Sequence, residues 1–338
     1  IRDSASVIGR LFRAAMLWGV YPDLPLDQVQ HNLDVLSHLE LTPLDTPLPE
    51  LAYLFKHIIT QQVAYESLLH STRAVLHEQI GLYTERTYAE TLDQYTNLLA
   101  FHFDNSENLT KKKEYLRKAG EAAQRDYANA AAIDYFERLV LLLSEGDRGA
   151  VLFNLGEVYN TIGDFDSAED NYQVALVLAE QAGDHVLVGQ CQVGIGELFR
   201  QRGDYAQAEI WFEKARLLAE ETGDRPGLAK AYIVTGSLEL YKGNHARATE
   251  LYQASLSIRR QLEDQPNIAN LLNNMGIVGA SQSEFEMAQT RFEEALAIRR
   301  KLGDKWDIAN SLNNLGELAM LLGDYQSARI DLDEALSI

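Results

Sequence analysis

Small and apolar residues recur at a fixed interval along the C-terminal two thirds of the chain. A glycine stands every forty residues, and an alanine stands twelve positions after each of these glycines. A large ring or a leucine stands sixteen positions after the glycine, and a small residue stands nineteen positions after it. A constant period of this length indicates a tandem array of one structural unit. The anchor glycines of the array are Gly156, Gly196, Gly236, Gly276 and Gly316.

Each unit also carries two turn signals. One stands seven positions after the anchor glycine, as in Gly163-Asp164, and the other leads into the next unit, as in Gly183-Asp184. Glycine ends a helix in the left-handed conformation at little steric cost. An aspartate beside it can cap the helix that follows. Each unit is therefore predicted to form a helix A, a tight turn and a helix B.

This pattern resembles the tetratricopeptide repeat in a long, 40-residue form, compared with the more common unit of about 34 residues. A weaker unit anchored on Gly120 lies 36 residues before Gly156. The resemblance implies an all-α fold, a right-handed α-solenoid of helical hairpins. It would hold about six units over residues 112–338 and be truncated at its C-terminus.

A different pattern fills residues 1–85, which are predicted to form a small winged-helix-like domain. A first helix ends at Pro22 and Pro25, and Asp27 opens a second helix. A proline-rich turn over residues 43–49, a strand-like run over residues 51–55 and a long helix from Ile58 follow. Residues 86–111 are predicted to be a helical linker. The apolar positions of the first helix are Ile8, Leu11, Phe12, Ala15 and Met16, and those of the long helix are Tyr65, Leu68, Leu69, Thr72 and Leu76.

A second resemblance is carried by Phe55–Leu69, FKHIITQQVAYESLL, and by Ala5–Phe12, ASVIGRLF. These runs resemble the module that follows the nucleotide-binding core in STAND-type signalling ATPases of the AAA family. Proteins of that kind are often fused to class III adenylate or guanylate cyclase domains. The resemblance implies that His57 lies near the phosphates of bound ADP and senses the nucleotide. From the residues alone, the alternative to nucleotide sensing is that His57 caps the long helix or packs under the wing.

The composition narrows the classes of partner. The formal net charge is −20, and the second predicted helix carries acidic residues without Lys or Arg. A nucleic-acid or membrane-surface partner would require a basic face, so neither is expected. The single cysteine, Cys191, excludes an internal disulfide and favours a reducing, cytoplasmic location. It occupies a repeat position where small packed residues stand in other units.

Catalytic and metal-binding motifs are missing from the sequence. No Gly-x-x-x-x-Gly-Lys-Ser/Thr stretch, Gly-x-Ser-x-Gly elbow or His-Glu-x-x-His pair occurs among the 338 residues. The chain is therefore expected to be neither an enzyme nor a holder of a cofactor or metal. Because it starts without methionine and stops at the end of a helix B, we expect it to be part of a longer protein. An ATPase core with bound ATP or ADP would then lie before Ile1.

Asparagines are the most specific candidate site. They are spaced three and four positions apart, so they share one face of helix A. In tetratricopeptide arrays this helix lines the concave groove, and side-chain amides there can bind the backbone of an extended peptide. The alternative is an asparagine ladder that joins neighbouring helices without a ligand. The candidate residues are Asn154, Asn270, Asn273, Asn274, Asn310, Asn313 and Asn314.

The sequence favours a regulatory sensor over other functions. In that hypothesis, the groove binds a protein or peptide and the winged helix relays the event to an upstream nucleotide switch. A stand-alone peptide-binding adaptor and an array that captures a small ligand remain alternatives, and oligomerisation stays open. Two Arg-Arg pairs, Arg259-Arg260 and Arg299-Arg300, end two B helices, where a cation favours the negative end of the helix dipole.

Overall fold

The structure is a computed structural model that describes residues 1–20, 24–47 and 51–338. Pro22 and Pro49, which the sequence analysis places in breaks between elements, lie outside the described residues. The chain divides into two compact units, Ile1–Val158 and Tyr159–Ile338. The predicted domain boundaries at residues 85 and 111 stay a prediction.

Among its described residues, the first unit contains three short strands, eight whole α-helices and most of a ninth. Two 3₁₀ helices, Ala89–Tyr95 and Glu145–Asp147, stand between its later helices. The elements are α1 (Arg2–Ile8), β1 (Leu11–Arg13), α2 (Ala14–Val20), α3 (Leu26–His38), β2 (Leu44–Thr46), β3 (Ala52–Leu54), α4 (Ile58–Glu66), α5 (His70–Thr87), α6 (Thr96–Asp104), α7 (Leu109–Arg125), α8 (Asn129–Leu142) and α9 (Gly149–Thr161).

The second unit is a succession of helical hairpins. Odd-numbered helices are the predicted A helices and even-numbered helices are the predicted B helices. The elements are α10 (Phe165–Ala182), α11 (His185–Gln201), α12 (Tyr205–Thr222), α13 (Arg225–Tyr241), α14 (His245–Gln261), α15 (Gln265–Ser281), α16 (Phe285–Leu302), α17 (Lys305–Leu321) and α18 (Tyr325–Ser337). Consecutive helices pack on one another, which confirms the predicted all-α solenoid.

A three-stranded antiparallel sheet corrects the predicted first helix. Leu11 and Phe12 were expected on that helix, but they lie in β1, which pairs with β3, while β2 pairs with the other edge of β3. Gly9 ends α1 at φ 146°, a conformation that other residues rarely adopt. Phe12 is then buried against Phe55, and the centroids of the two rings are 5.6 Å apart. The hairpin of β2 and β3 stands where the wing was predicted.

The predicted long helix from Ile58 is wrong in its length, because the chain breaks it into α4 and α5. Leu69 was expected on a buried stripe, but it precedes α5 and is 74% exposed. At the break, Ser67 Oγ donates to the Ala64 carbonyl at 2.7 Å. The break changes the phase of the helix, so that Ala74, His77 and Ile80 carry the buried side of α5.

A buried histidine pair joins α5 to α6. His77 Nδ1 and His102 Nδ1 lie 2.9 Å apart, and His77 Nε2 lies 3.1 Å from the hydroxyl of Tyr65 in α4. Only one of the facing Nδ1 atoms carries a hydrogen, since one must donate and the other accept. Burial lowers the pKa of His77 to about 4, helped by the charge of Arg73. Burial lowers the pKa of His102 to about 3, helped by His77.

The repeat hairpins of the second unit close on their anchor glycines at Gly196, Gly236 and Gly276. In each, the ring that stands sixteen positions later is buried and lies against the glycine: an added Cβ at Gly276 would be 2.5 Å from Phe292 Cε1. Turn glycines such as Gly183 take positive φ, and Asp184 caps the next helix by accepting from the Leu187 backbone N–H at 3.0 Å. The turn chemistry predicted from the sequence is therefore confirmed where an aspartate follows the glycine, whereas Asn244 makes no capping hydrogen bond.

Acidification should destabilise the first unit through the histidine pair. In an unfolded chain each ring has a pKa of about 6.5, so between about pH 6.5 and pH 4 the unfolded state binds more protons. The contribution of the two neutral rings to the free energy of unfolding is then complete above pH 6.5. The free energy of unfolding falls as the pH drops, by up to about 1.4 kcal/mol per pH unit for each ring. Thermal unfolding from pH 7 to pH 5 measures this decline.

The control is a chain with both His77→Leu and His102→Leu, which leaves neither partner of the hydrogen bond alone. It should show a shallower dependence on pH than the parent protein. Equal slopes in the two proteins would contradict the assignment. NMR titration of the His77 and His102 imidazoles near pH 6.5 would contradict it as well.

Gly196→Ala should destabilise the array by about 1–3 kcal/mol through overpacking, because the new Cβ would be 2.5 Å from Phe212 Cε1. Gly189 lies in the same helix, and a Cβ there would meet nothing within 4 Å. Gly189→Ala is the matched control and should stabilise by about 0.5–1 kcal/mol, since alanine favours helix. Urea unfolding measures both, and equal effects would show that anchor glycines do not set the packing distance.

Candidate functional site

The A helices of the second unit share a set of equivalent positions, which we call the A face. Most of these positions are exposed or half-buried, although Val193 and Asn273 are buried. Neighbouring A helices contact each other, as α11 does with α13 and α15 with α17. The A face comprises the positions six and three before the anchor glycine and one, four and five after it. On α17 these positions are all exposed: Asn310, Asn313, Glu317, Met320 and Leu321.

The A face carries both polar and apolar side chains. Exposed apolar groups include Tyr241 at 61%, Ile277 at 44% and Leu321 at 69%. On α11, Arg200 Nε donates to Glu197 Oε2 at 2.6 Å, and the Arg200 guanidinium lies 4.8 Å from the Tyr241 ring centroid. Although burial lowers the pKa of Arg200, Glu197 and Tyr241 outweigh that cost and raise it. The A face thus offers both apolar surface and hydrogen-bonding groups to a ligand.

One pair of the predicted asparagines forms the ladder that the sequence left as an alternative. Asn273 is only 6% exposed, and its Oδ1 accepts a hydrogen bond from Asn314 Nδ2 at 2.8 Å. The bond joins α15 to α17 and satisfies an amide that would otherwise be costly to bury. This pair therefore holds neighbouring repeats together.

Two other asparagines meet a buried cation. Asn270 Oδ1 accepts from Arg299 Nη2 at 2.7 Å, and Asn310 Oδ1 accepts from Arg299 Nη1 at 3.3 Å. Both asparagine residues remain exposed. The arginine thus fixes the amide orientation by occupying both carbonyl oxygens.

The remaining asparagines differ in exposure. Asn313 is exposed on the A face, and Asn274 is half-buried on α15. Asn154 is half-buried on α9 and belongs to the first compact unit, whereas the other six lie in the second. The structure therefore brings six of the seven candidates onto two neighbouring helices. A peptide-binding role for any of them stays a prediction.

Sequence reasoning missed the buried arginines. Arg299 is 4% exposed and donates from Nη1 to the Asp307 carbonyl at 3.0 Å and to Ser311 Oγ at 2.7 Å. Burial lowers the pKa of its guanidinium, although Asp307 and Asp304 oppose that shift. Arg259 is similarly buried one unit earlier and donates to Asp264. The signal was present, because the same repeat position holds Ala179 and Ala219.

The second arginine of each pair joins successive B helices. Arg260 Nη2 lies 2.9 Å from Glu294 Oε1, and Arg300 Nη2 lies 2.6 Å from Glu334 Oε1. These pairs are exposed, so each contributes roughly 0–1 kcal/mol. The expected role at the helix dipole thus omits contacts that all four arginines make with the following repeat.

His57 stands alone at the start of α4. It is the N-cap residue with φ −125°, its side chain makes no capping hydrogen bond, and it is exposed. Neither structural alternative raised from the sequence, capping or packing under the wing, is therefore realised by its ring. Ile59 and Val63 beside it are 68% and 61% exposed, which leaves this side of α4 apolar. Nucleotide sensing by His57 stays a prediction.

Within residues 1–20, 24–47 and 51–338, no group of three or more His, Cys, Asp or Glu side chains is placed to hold a metal ion. Over the same residues, no helix has the length and hydropathy of a membrane span.

Asn273→Ala should lower the free energy of unfolding by about 1–2 kcal/mol, because it removes a buried inter-repeat hydrogen bond. Asn313→Ala stands forty residues later on an exposed position and should change stability by less than about 0.5 kcal/mol. Both changes bring the same gain in helix propensity, so the difference between them isolates the ladder. Chemical denaturation of the two variants measures it, and equal stabilities would mean that the ladder bond contributes nothing.

Solved structures share this fold at low sequence identity. A Rap protein complexed with Competence and Sporulation Factor is 12% identical with a TM-score of 0.58, over 82% of this chain and 89% of that chain. The Rap conjugation gene regulator of plasmid pLS20, in complex with the Phr* peptide, is 15% identical with a TM-score of 0.58, over 79% of this chain and 90% of that chain.

A third structure matches almost the whole chain. It is a Signal Transduction ATPase with Numerous Domains (STAND) protein with a tetratricopeptide repeat sensor from Pyrococcus horikoshii, 14% identical with a TM-score of 0.57. The match covers 99% of this chain but 49% of that protein. At these identities the three structures establish the fold alone.

The repeat itself is identified from the sequence. The Tetratricopeptide repeat family profile matches residues 147–221, 187–261, 228–301 and 267–338, which together span more than half of the chain. Successive matches start 40, 41 and 39 residues apart (187 − 147, 228 − 187 and 267 − 228), which agrees with the long form of the repeat. No curated protein matches the chain in sequence. The chain belongs to the tetratricopeptide repeat family.

Proposed function

We propose that this chain is the regulatory sensor region of a STAND-type signalling ATPase. In this proposal the A face binds a peptide or protein segment, and residues 1–85 relay the event to a nucleotide-binding core elsewhere in the protein. The observation that carries the proposal is the A face, which presents exposed amides together with exposed apolar side chains.

The chemistry of the A face suits an extended peptide. An amide such as that of Asn313 can both donate to a peptide carbonyl and accept from a peptide N–H. Tyr241, Ile277 and Leu321 offer apolar surface to side chains of the same peptide. Two structures of the same fold contain a signalling factor or peptide, which supports this kind of ligand.

The relay rests on the N-terminal elements. The STAND structure is matched along nearly all of this chain, including the region of α1 to α5. His57 at the start of α4 and Ile59 and Val63 within it are exposed, and all three lie in the run that resembles the STAND module. A nucleotide-binding core packed on this side of α4 would cover the apolar residues and bring His57 to its phosphates.

A stand-alone adaptor is the second candidate. The Rap regulator with the Phr* peptide is matched over 90% of its own length, so a fold of this extent can hold a peptide by itself. The two candidates share the A face and differ only in the nucleotide switch.

The test uses the full-length protein and its nucleotide hydrolysis. Removing residues 159–338, or blocking the A face with Asn313→Arg, should change the hydrolysis rate or its response to the partner by roughly 5- to 150-fold, the range of allosteric coupling. Ser257→Arg places the same charge on an exposed position of α14, outside the A face, and should have no effect.

The outcomes separate the two candidates. Hydrolysis that ignores both the deletion and Asn313→Arg would overturn the relay. A full-length protein without any nucleotide hydrolysis, which still loses its partner through Asn313→Arg, would identify the adaptor.

A further inference from the structure

A cleft of about 350 Å³ lies on the side of α17 opposite the A face. Its α17 residues, such as Leu315 and Leu318, are displaced from Asn313 and Glu317 by about half a helical turn. The walls come from the two flanking B helices, α16 and α18. The lining residues are Gln289, Glu293, Leu296, Arg300, Leu315, Leu318, Ala319, Leu322, Asp324, Ser327, Ile330 and Asp331.

A short side chain in one repeat opens this cleft. Fifteen positions after the anchor glycine, the three preceding repeats carry the large residues Trp211, Leu251 and Arg291, whereas the first 40-residue repeat carries Asn171. The last repeat carries Asp331 at that position. Its ring position is also reduced, because Leu332 replaces an aromatic residue such as Phe292. The groove between α16 and α18 is thus left open, whereas a large side chain stands at the equivalent position in each of the three preceding repeats.

The preceding repeat shows what the groove can hold. Arg291 is half-buried, and its Nη1 donates to the carbonyl of Met275 at 2.9 Å. Burial lowers the pKa of this guanidinium. Met275 is the forty-residue equivalent of Leu315, which lines the cleft. A guanidinium therefore occupies, in one repeat, the place that stands open in the next.

The charge of the cleft complements such a group. Glu293, Asp324 and Asp331 lie along it, and its one lining cation, Arg300, forms an ion pair with Glu334 at 2.6 Å. Burial and the neighbouring Glu334 raise the pKa of Asp331, as expected of a carboxylate that lacks full compensation. Leucine and isoleucine side chains form the floor, on which the aliphatic stem of an arginine can pack.

We propose that this cleft binds a basic peptide segment of a partner protein, with an arginine paired to Asp331 and an adjacent aliphatic residue on Leu318 and Ile330. The arginine takes the position that Arg291 takes in the preceding repeat. A guanidinium and a carboxylate can form two parallel hydrogen bonds, which fixes the orientation of the segment. The cleft and the A face consist of different residues. Peptide binding at one of them can therefore be true without peptide binding at the other.

The probe is a set of acetylated and amidated pentapeptides, Ala-Leu-Xaa-Leu-Ala, in which Xaa is arginine, citrulline or glutamate. Binding to the whole chain is followed by calorimetry and by NMR shifts of residues in α16 to α18. The arginine peptide should bind, and citrulline, which keeps the shape without the charge, should weaken binding by about tenfold or more. The glutamate peptide should show no saturable binding.

Variants locate the site. Asp331→Arg restores the arrangement of the preceding repeat, so its own guanidinium should fill the cleft and abolish binding without loss of fold. Asp331→Asn should weaken binding of the arginine peptide by about tenfold. Asp333→Asn removes a charge from the same helix at a position that does not line the cleft, and it should leave binding unchanged.

Three results would overturn the proposal. The first is equal weakening by Asp331→Asn and Asp333→Asn, which would show general attraction to an acidic surface. The second is an arginine peptide that binds Asp331→Arg as tightly as the parent chain, or that binds neither. The third is a concentration-dependent dimer in sedimentation that Asp331→Arg dissociates, since the occupant would then be a second copy of this chain.

Discussion

The architecture depends on the distance between the two helices of each repeat, and a missing methyl group sets that distance. At Gly196, Gly236 and Gly276 the ring of the same repeat lies where a Cβ would have to be. Helix A can therefore lie directly on the aromatic residue of helix B. This approach buries one side of each A helix and leaves the opposite side, the A face, for other contacts. The exposure of the A face is thus a consequence of how tightly the other side is packed.

Polar groups then decide how neighbouring repeats meet. Apolar packing alone tolerates small shifts, whereas a buried amide or guanidinium must find its partner at one distance and angle. Asn273 with Asn314, and Arg299 with Ser311 and Asn270, impose that requirement on α15 to α17. Asparagines that the sequence suggested for ligand binding therefore also fix how neighbouring helices of the array are placed.

The regular parts of the fold were predictable because they follow one period. The anchor glycines, rings and turn residues each do a single job, so their spacing was enough to predict the hairpins. The exceptions involve residues with two suitable environments. Leu11 and Phe12 fit a helix or a strand, and only the pairing with β3 selects the strand. An asparagine suits a ladder or a ligand, and Arg299 suits solvent or a buried network, so neighbours distant in sequence decide. The cleft beside Asp331 likewise needs three helices in place before the smaller side chain leaves a space.

The placement of the buried arginines has a consequence for folding. In a linear array, cooperativity depends on the ratio between the stability of each repeat and its coupling to the next. Arg259 and Arg299 add hydrogen bonds that bridge repeats where the earlier repeats have only Ala179 and Ala219. The later repeats should consequently open and close together, while the earlier ones fray more independently. Binding that stabilises one repeat of the bridged segment would then also stabilise the other repeats of that segment, with no change of conformation between them.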